Sequence, residues 1–206
     1  MTKLSESRKL LSCYLTQPLA KLLARISFIT PNSITCVGFL VTLGAAGLIA
    51  TRHLFAAGWV VLLAGFLDIL DGALARQTGQ VTRFGAILDS TVDRLSEAAL
   101  LFGILIFSLR EQLALEIVLV CLALIGSMMV SYIRARAEGL GLECQVGLFT
   151  RAERVIVLAL GLLLSQFNYA LTVALVIITL FSFITASQRF LHVWQQTKIT
   201  SPKTNF

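Results

Sequence analysis

Four aspartates lie close together in a sequence that otherwise contains little charge. Asp68 and Asp71 are three residues apart near the end of one apolar segment, and Asp89 and Asp93 are four residues apart at the start of the next. On an α-helix, either spacing puts both carboxylates on one face, and Glu97 continues the second face by another turn. The connection between the segments is short, so the helices are antiparallel neighbours and both faces can be directed at one cleft.

Carboxylates gathered in this way repel one another and are costly at membrane depth unless they are neutralised. Oxygen ligands of this type bind hard divalent cations, and Mg²⁺ keeps coordination positions open for water and substrate phosphates. A pair of such ions can stabilise the attacking and leaving oxygens of a displacement at phosphorus. The alternative is a structural cluster of salt bridges with Arg76, Arg83 and Arg94, and the spacing of the acids alone leaves both interpretations open.

Glycine and arginine residues near the aspartates favour a site for metal and phosphate. Gly72 follows Asp71 directly and removes a side chain where a phosphate would approach, while Arg76, one turn later, can pair with phosphate oxygens. Gly85 lies one turn before Asp89 and eases entry into the next helix. The joint spacing of these residues, more than any one of them, indicates a metal-and-phosphate site.

The composition indicates the surroundings of this site. Of 206 residues, 57% are hydrophobic and only 14% are charged, and the mean hydropathy is +0.85, which is typical of a chain whose solvent is lipid. Apolar segments separated by short polar breaks predict six transmembrane helices, and no strand-like alternation competes with them. The predicted spans are 33–51, 54–75, 86–108, 112–133, 152–166 and 169–191. The fold class is therefore all-α integral membrane.

The first 27 residues differ in kind. Leucines and an isoleucine recur there at steps of seven and four residues between lysines and arginines, which predicts a basic amphipathic helix lying on the membrane interface. An ordinary solvated helix is the alternative. We therefore divide the chain into an amphipathic juxtamembrane segment (1–27), a six-helix domain (28–195) and a cytoplasmic tail (196–206).

Lysine and arginine also indicate the orientation of the chain. Between the predicted spans, only Arg52 and Arg110 fall on the side opposite to the two termini, and this asymmetry predicts a multi-pass protein of the cell membrane with a cytoplasmic amino terminus and a cytoplasmic site. The net charge of +6 is then explained by anionic lipid headgroups, without nucleic acid as a partner. The four cysteines are dispersed without C-x-x-C spacing, so neither a zinc site nor a redox pair is indicated.

The order Asp68-x-x-Asp71-Gly72-x-x-Ala75-Arg76, eight further residues, then Gly85-x-x-x-Asp89-x-x-x-Asp93 resembles the signature of the CDP-alcohol phosphotransferases at every defined position. The resemblance extends over most of the chain, including the segment Thr30–Thr35, and it implies transfer of a phosphatidyl group from CDP-diacylglycerol to an alcohol, with release of CMP. It also implies a homodimer and two Mg²⁺ or Mn²⁺ ions. The implied metal ligands are Asp68, Asp71 and Asp89, completed by Asp93, which is also the implied general base. The implied contacts to the CDP-lipid are Pro31, Asn32, Ser33, Ile34, Gly72, Arg76 and Thr82.

A second polar region, 131–154, bears on the acceptor alcohol. Ser131 and Arg134 share one helix face, as do Arg151 and Arg154, and arginines at the mouth of the helices suit an acceptor that is itself a phosphate. The tendency of cytoplasmic loops to be positive is the alternative explanation.

Within the family, this region together with Ser90 and Arg94 resembles the branch whose acceptor is inositol phosphate. That resemblance implies acceptor-binding roles for Ser131, Arg134, Arg154 and Arg189, although Arg134 stands where the branch usually has lysine. The alternatives are the branch that makes phosphatidylglycerophosphate and other CDP-alcohol phosphatidyltransferases.

Two other classes of protein place acids in a helical bundle. An ion transporter is expected to carry them near the middle of several spans, whereas these lie at the cytoplasmic ends of two. Prenyltransferase-like enzymes use aspartate pairs with Mg²⁺, but in a different order. The sequence therefore predicts a metal-dependent phosphatidyltransferase.

Overall fold

The computed structural model describes residues 30–80 and 82–200. Within these ranges all the regular secondary structure is helical, without strands, and loops connect the helices. The predicted amphipathic helix at 1–27 and the end of the predicted tail lie outside the described residues. The described helices are α1 (Pro31–Ala50), α2 (Leu54–Thr78), α3 (Arg83–Arg110), α4 (Ala114–Gly139), α5 (Arg151–Leu163) and α6 (Ala170–Thr200).

Three of the helices begin at capping threonines. Thr30 precedes Pro31 of α1, and its hydroxyl accepts the backbone N–H of Ser33 at 3.2 Å. Thr82 precedes α3 and accepts the N–H of Gly85 at 2.9 Å. At α5, Thr150 and Glu153 form a capping box. Each cap satisfies backbone donors that have no partner inside the helix, so the sequence fixes where these helices start.

The helices pack in a continuous bundle in which α1 contacts α2 and α3, α2 contacts α5, α4 contacts α3 and α6, and α5 contacts α6. The core of the bundle includes Ile49, Leu101, Ile104 and Leu162, all essentially inaccessible. Gly103 allows α1 and α3 to approach closely, because a Cβ at that position would lie 2.6 Å from the backbone oxygen of Ala46. Such contacts through small residues are typical of membrane bundles.

Four helices, α1, α2, α4 and α6, are long and apolar enough to cross a membrane. The predicted spans at α3 and α5 do not meet this criterion. The first part of α3 carries several charges, and α5 has 13 residues, which rise about 20 Å against a hydrocarbon core of about 30 Å. Large apolar side chains such as Leu40, Trp59 and Phe102 are exposed on the outside of the bundle, as expected where lipid is the solvent.

Candidate active site

Three of the four aspartates meet where α2 ends and α3 begins. Asp68, Asp71 and Asp89 each offer a carboxylate oxygen, and these atoms all lie within 4.8 Å of one another. Asp71 is buried, Asp68 is partly buried and Asp89 is exposed. Three carboxylate oxygens in this space repel one another unless a cation lies between them, and oxygen donors are the ligands that Mg²⁺ and Mn²⁺ prefer. The residues therefore fit a divalent metal.

Asp93, one turn further along α3, is held differently. The Nη1 atom of Arg151 lies 2.6 Å from Asp93 Oδ1, and the same nitrogen donates to Asp68 Oδ1 and Oδ2 at 3.0 and 2.9 Å. The contact with Asp93 is an ion pair without hydrogen-bond geometry, because Oδ1 has no hydrogen-bond partner among the described residues. Arg151, the first residue of α5, thus joins the ends of α2 and α3.

The arginines expected in a structural salt-bridge cluster do not make these contacts. In the part of the chain that the structure describes, the ion pairs of Asp68 and Asp93 come from Arg151. Arg94 donates instead to the backbone oxygen of Ser90 on its own helix. The salt-bridge alternative was therefore wrong about the partner, because α5 folds back over residues more than fifty positions earlier in the chain.

The contact of Thr35 with the aspartate cluster was not predicted from the sequence, which indicated only that Thr35 belongs to the segment Thr30–Thr35. Its hydroxyl lies 2.6 Å from Asp71 Oδ2 and 3.1 Å from the backbone oxygen of Pro31. Since the hydroxyl has one proton, the shorter contact to the carboxylate takes it. The signal was present, because Thr35 follows the Pro31–Ile34 segment by one residue, but only the fold brings α1 against α2. Thr35 orients a carboxylate of the cluster, as hydrogen-bonded partners of metal ligands do.

A cavity of about 210 Å³ lies between the starts of α1 and α3 and the end of α2. Five of the residues predicted to contact the CDP-lipid line it: Pro31, Asn32, Gly72, Arg76 and Thr82. The other two do not. Ser33 takes part in the cap with Thr30, and Ile34 is buried and lines a different, apolar cavity. We call the 210 Å³ space the α1–α3 cavity.

A second cavity, of about 410 Å³, brings together all four residues predicted to bind the acceptor, Ser131, Arg134, Arg154 and Arg189. Arg189 donates from Nε and Nη1 to the backbone oxygens of Val146 and Val130 at 2.9 and 2.6 Å. Arg94 and Arg151 also line this space, which brings the number of arginines around it to five. The cavity therefore suits an anion. We call it the arginine cavity.

A third cavity, of about 440 Å³, is mainly apolar and lies between α1, α2, α3 and α5. Its lining includes Phe39, Phe66, Leu100, Val155 and Ile156. Its chemistry suits hydrocarbon and not a charged group. We call it the apolar cavity.

The aspartates lie where the three cavities adjoin. Asp71 lines the α1–α3 cavity and the apolar cavity. Asp89 lines the α1–α3 cavity and the arginine cavity. Asp93 lines the arginine cavity and the apolar cavity. Three molecules, or parts of molecules, of different chemistry can therefore reach one set of carboxylates.

Comparison with known proteins gives a consistent result. The family model for CDP-alcohol phosphatidyltransferase matches residues 28–194. The archaetidylinositol phosphate synthase of Pyrococcus horikoshii is 44% identical over 163 residues, which is 78% of this chain and 81% of that protein.

Two solved structures are also similar. The phosphatidylinositol phosphate synthase of Mycobacterium tuberculosis with CDP-DAG bound is 36% identical, with a TM-score of 0.79 over 92% of this chain and 96% of that one. The same enzyme in complex with manganese and citrate gives a TM-score of 0.80, with 36% identity over 91% and 90% of the two chains.

Proposed function

Because this chain belongs to the CDP-alcohol phosphatidyltransferase family, we propose that it transfers a phosphatidyl group from CDP-diacylglycerol to inositol phosphate and releases CMP. The observation that carries the proposal is the junction of the three cavities at Asp71, Asp89 and Asp93. A nucleotide, a lipid and a phosphorylated alcohol are the three parts that this reaction must bring together.

Each part of the reaction has a matching space. The cytidine nucleotide and its phosphates bind in the α1–α3 cavity, and the lipid chains enter the apolar cavity. The proposed contacts to the CDP-lipid are Pro31, Asn32, Ser33, Ile34, Gly72, Arg76 and Thr82, of which Ile34 is the one on the lipid side. The support for this division is the polarity of the two linings.

The metal site is proposed to hold two ions, Mg²⁺ or Mn²⁺, through Asp68, Asp71 and Asp89, with Asp93 completing the set. When bound, such ions stabilise the negative charge that develops on the oxygens at phosphorus. The carboxylate separation within 4.8 Å supports the ligand set, as does the manganese complex of the similar enzyme.

The protein's own residues carry the other steps. Ser131, Arg134, Arg154 and Arg189 hold the phosphate of the acceptor, which brings its hydroxyl to Asp93 on the wall of the same cavity. Asp93 accepts the proton of that hydroxyl, and the oxygen attacks the lipid-side phosphorus. The bond from phosphorus to the CMP oxygen breaks in the same displacement, and CMP leaves with the electron pair. No covalent intermediate on the protein is needed.

The membrane arrangement belongs to the same proposal. We place all six helices across the cell membrane, including α3 and α5, with residues 1–27 on the interface and the amino terminus and active site facing the cytoplasm. The domain is 28–195 and works as a homodimer. Support for the orientation comes from the arginines and lysines, of which Arg52 and Arg110 are those at the far ends of the described helices.

The test is CMP release by the purified protein with CDP-diacylglycerol and Mg²⁺ or Mn²⁺. Inositol phosphate, glycerol 3-phosphate, free inositol and serine are compared as acceptors at equal concentration. We expect release only with an acceptor present and fastest with inositol phosphate. A preference for glycerol 3-phosphate would assign the protein to phosphatidylglycerophosphate synthesis, and a preference for free inositol or serine would refute a phosphate-binding pocket.

A further inference from the structure

A buried ion pair joins α3 to α5 beside the arginine cavity. Arg154 donates from Nε to Glu97 Oε1 at 2.5 Å and from Nη2 to Glu97 Oε2 at 2.9 Å. The two side chains are only 3% and 8% exposed. This fork fixes one edge of the guanidinium in the plane of the carboxylate.

Stability alone does not account for this pair. Removing two charges from water is expensive, and well-packed apolar residues in the same space often stabilise a protein as well or better. The surroundings offer such residues, since Leu100, Leu101 and Leu158 are buried nearby on the same two helices. This buried ion pair is therefore better explained by a functional role, in which one side chain of the pair positions the other.

The edge of the guanidinium that does not contact Glu97 indicates that Arg154 is the residue being positioned. Its Nη1 atom is buried and has no hydrogen-bond partner among the described residues. A guanidinium N–H that has no acceptor in the protein interior is unfavourable unless a ligand accepts its hydrogen bond. Because Arg154 lines the arginine cavity with Ser131, Arg134 and Arg189, an anion in that cavity is the ligand that the geometry favours.

We propose that Glu97 is a positioning residue for the acceptor, holding Nε and Nη2 of Arg154 so that Nη1 is left for the acceptor phosphate. This inference rests on the proposed function and adds to it a residue outside the aspartate signature. Arg134 gives a contrast, because its partner Glu138 lies on the same helix and both side chains are about half exposed. Arg134 therefore supplies a positive charge near the phosphate, whereas Arg154 supplies a positive charge and an N–H donor of fixed orientation.

The place of Glu97 on α3 gives this role a further consequence. Glu97 follows Asp93 by one turn of the same helix, a rise of about 6 Å. The residue that orients the phosphate anchor and the proposed base are therefore held at a constant separation by one rigid element. The acceptor is thus bound at a depth that brings its hydroxyl to Asp93.

The experiment compares steady-state CMP release by wild type, Glu97→Gln and Glu97→Asp, with inositol phosphate and CDP-diacylglycerol varied separately. Glutamine keeps the shape but turns an amide toward a guanidinium nitrogen, so we expect KM for inositol phosphate to rise at least about tenfold. KM for CDP-diacylglycerol and kcat at saturating acceptor should stay within about threefold of wild type. Glu97→Asp keeps the charge but withdraws it by one methylene, and we expect a smaller rise in the same KM.

The control is Glu116→Gln on α4, which removes a carboxylate that accepts from Thr172 at 2.6 Å and lines none of the three cavities. We expect it to leave both KM values unchanged. If Glu97→Gln does not fold, Glu97→Asp decides the question by the same comparison. An unchanged KM for inositol phosphate, or an equal rise in both KM values, would overturn the inference. Failure of the proposed function would instead appear in wild type, as no preference for a phosphorylated acceptor.

Discussion

Arg151 Nη1 lies 2.6 Å from Asp93 Oδ1, so the proposed base carries its own counter-ion. The same nitrogen contacts Asp68, a proposed metal ligand. A divalent cation in the proposed site would be held by carboxylates that the Arg151 guanidinium already contacts. The charge on α5 would then affect the metal affinity of the carboxylates on α2 and α3.

The first prediction concerns this coupling. Arg151→Ala removes a cation that competes for Asp68 and Asp93, so we expect Mn²⁺ to bind about three- to tenfold more tightly than in wild type. The metal-free variant should also be less stable to heat, because the acids lose their neutralising partner. Titration calorimetry of metal-free protein measures the affinity, and a melting curve with and without Mn²⁺ measures the stability.

Arg110→Ala is the control for that experiment. Arg110 lies at the opposite end of α3 and donates to the backbone oxygen of Ala50 at 2.9 Å, so its loss should leave Mn²⁺ affinity unchanged. Weaker Mn²⁺ binding by Arg151→Ala would mean that Arg151 assists the ion and does not compete with it.

The second prediction concerns Thr35. Thr35→Val keeps the volume of the side chain but removes the hydroxyl that donates to Asp71 Oδ2, and we expect Mn²⁺ affinity to fall about tenfold. Thr42→Val is the matched control, because Thr42 is buried on the same helix and its hydroxyl donates to the backbone oxygen of Gly38. Equal affinities of the two variants would show that Thr35 does not orient the carboxylate.

The third prediction concerns Asp93. Asp93→Asn removes the proposed proton acceptor, so kcat for CMP release should fall by about 10² to 10⁴. Binding of CDP-diacylglycerol through its nucleotide should be largely retained, because Asp93 does not line the α1–α3 cavity and asparagine keeps the size of the side chain in the apolar cavity. Turnover is measured at saturating substrates and binding by protection against thermal denaturation. Undiminished turnover would remove Asp93 as the base.

The fourth prediction concerns the loop between α4 and α5. Gly147 has φ of +136°, and a Cβ there would lie 2.7 Å from Thr185 Cγ2. Gly147→Ala should therefore lower the free energy of unfolding by about 1–3 kcal/mol. It should also raise KM for inositol phosphate, because the neighbouring Val146 oxygen holds Arg189.

Gly141→Ala is the control that separates the effect of backbone strain in Gly147→Ala from the effect of the steric contact with Thr185. Gly141 also has a positive φ, of +75°, but a Cβ there would meet no atom within 4 Å. Gly141→Ala should lower the free energy of unfolding by only about 1 kcal/mol, the cost of backbone strain. It should leave KM for inositol phosphate unchanged. If wild type, Gly147→Ala and Gly141→Ala had a similar KM for inositol phosphate, this would show that the loop does not position Arg189.

The sequence predicted where the helices lie and which aspartates share a helix face, because both depend on local patterns. The predicted span 86–108 and the observed α3, Arg83–Arg110, agree within three residues at each end, since apolar runs and polar breaks mark such limits. Likewise, spacings of three and four residues put Asp68 with Asp71 and Asp89 with Asp93 on shared faces.

What the sequence did not predict depends on contacts between distant parts of the chain. Arg151 was grouped with Arg154 as acceptor-facing, yet it pairs with Asp68 across 83 positions. Glu97 was placed on the aspartate face, yet it binds Arg154 across 57. No periodicity within one helix encodes which arginine of another reaches an acid, because that depends on how α5 crosses α2 and α3.

The capped starts of α1, α3 and α5 have an electrostatic consequence. Each α-helix has a dipole equivalent to about half a positive charge at its amino end. Residues at the starts of α1 and α3 line the α1–α3 cavity, and Thr150 and Arg151 at the start of α5 line the arginine cavity. In the proposed arrangement, backbone amides would give each phosphate-bearing substrate a positive helix end of its own, so that two polyanions would be drawn toward a centre made of four acids.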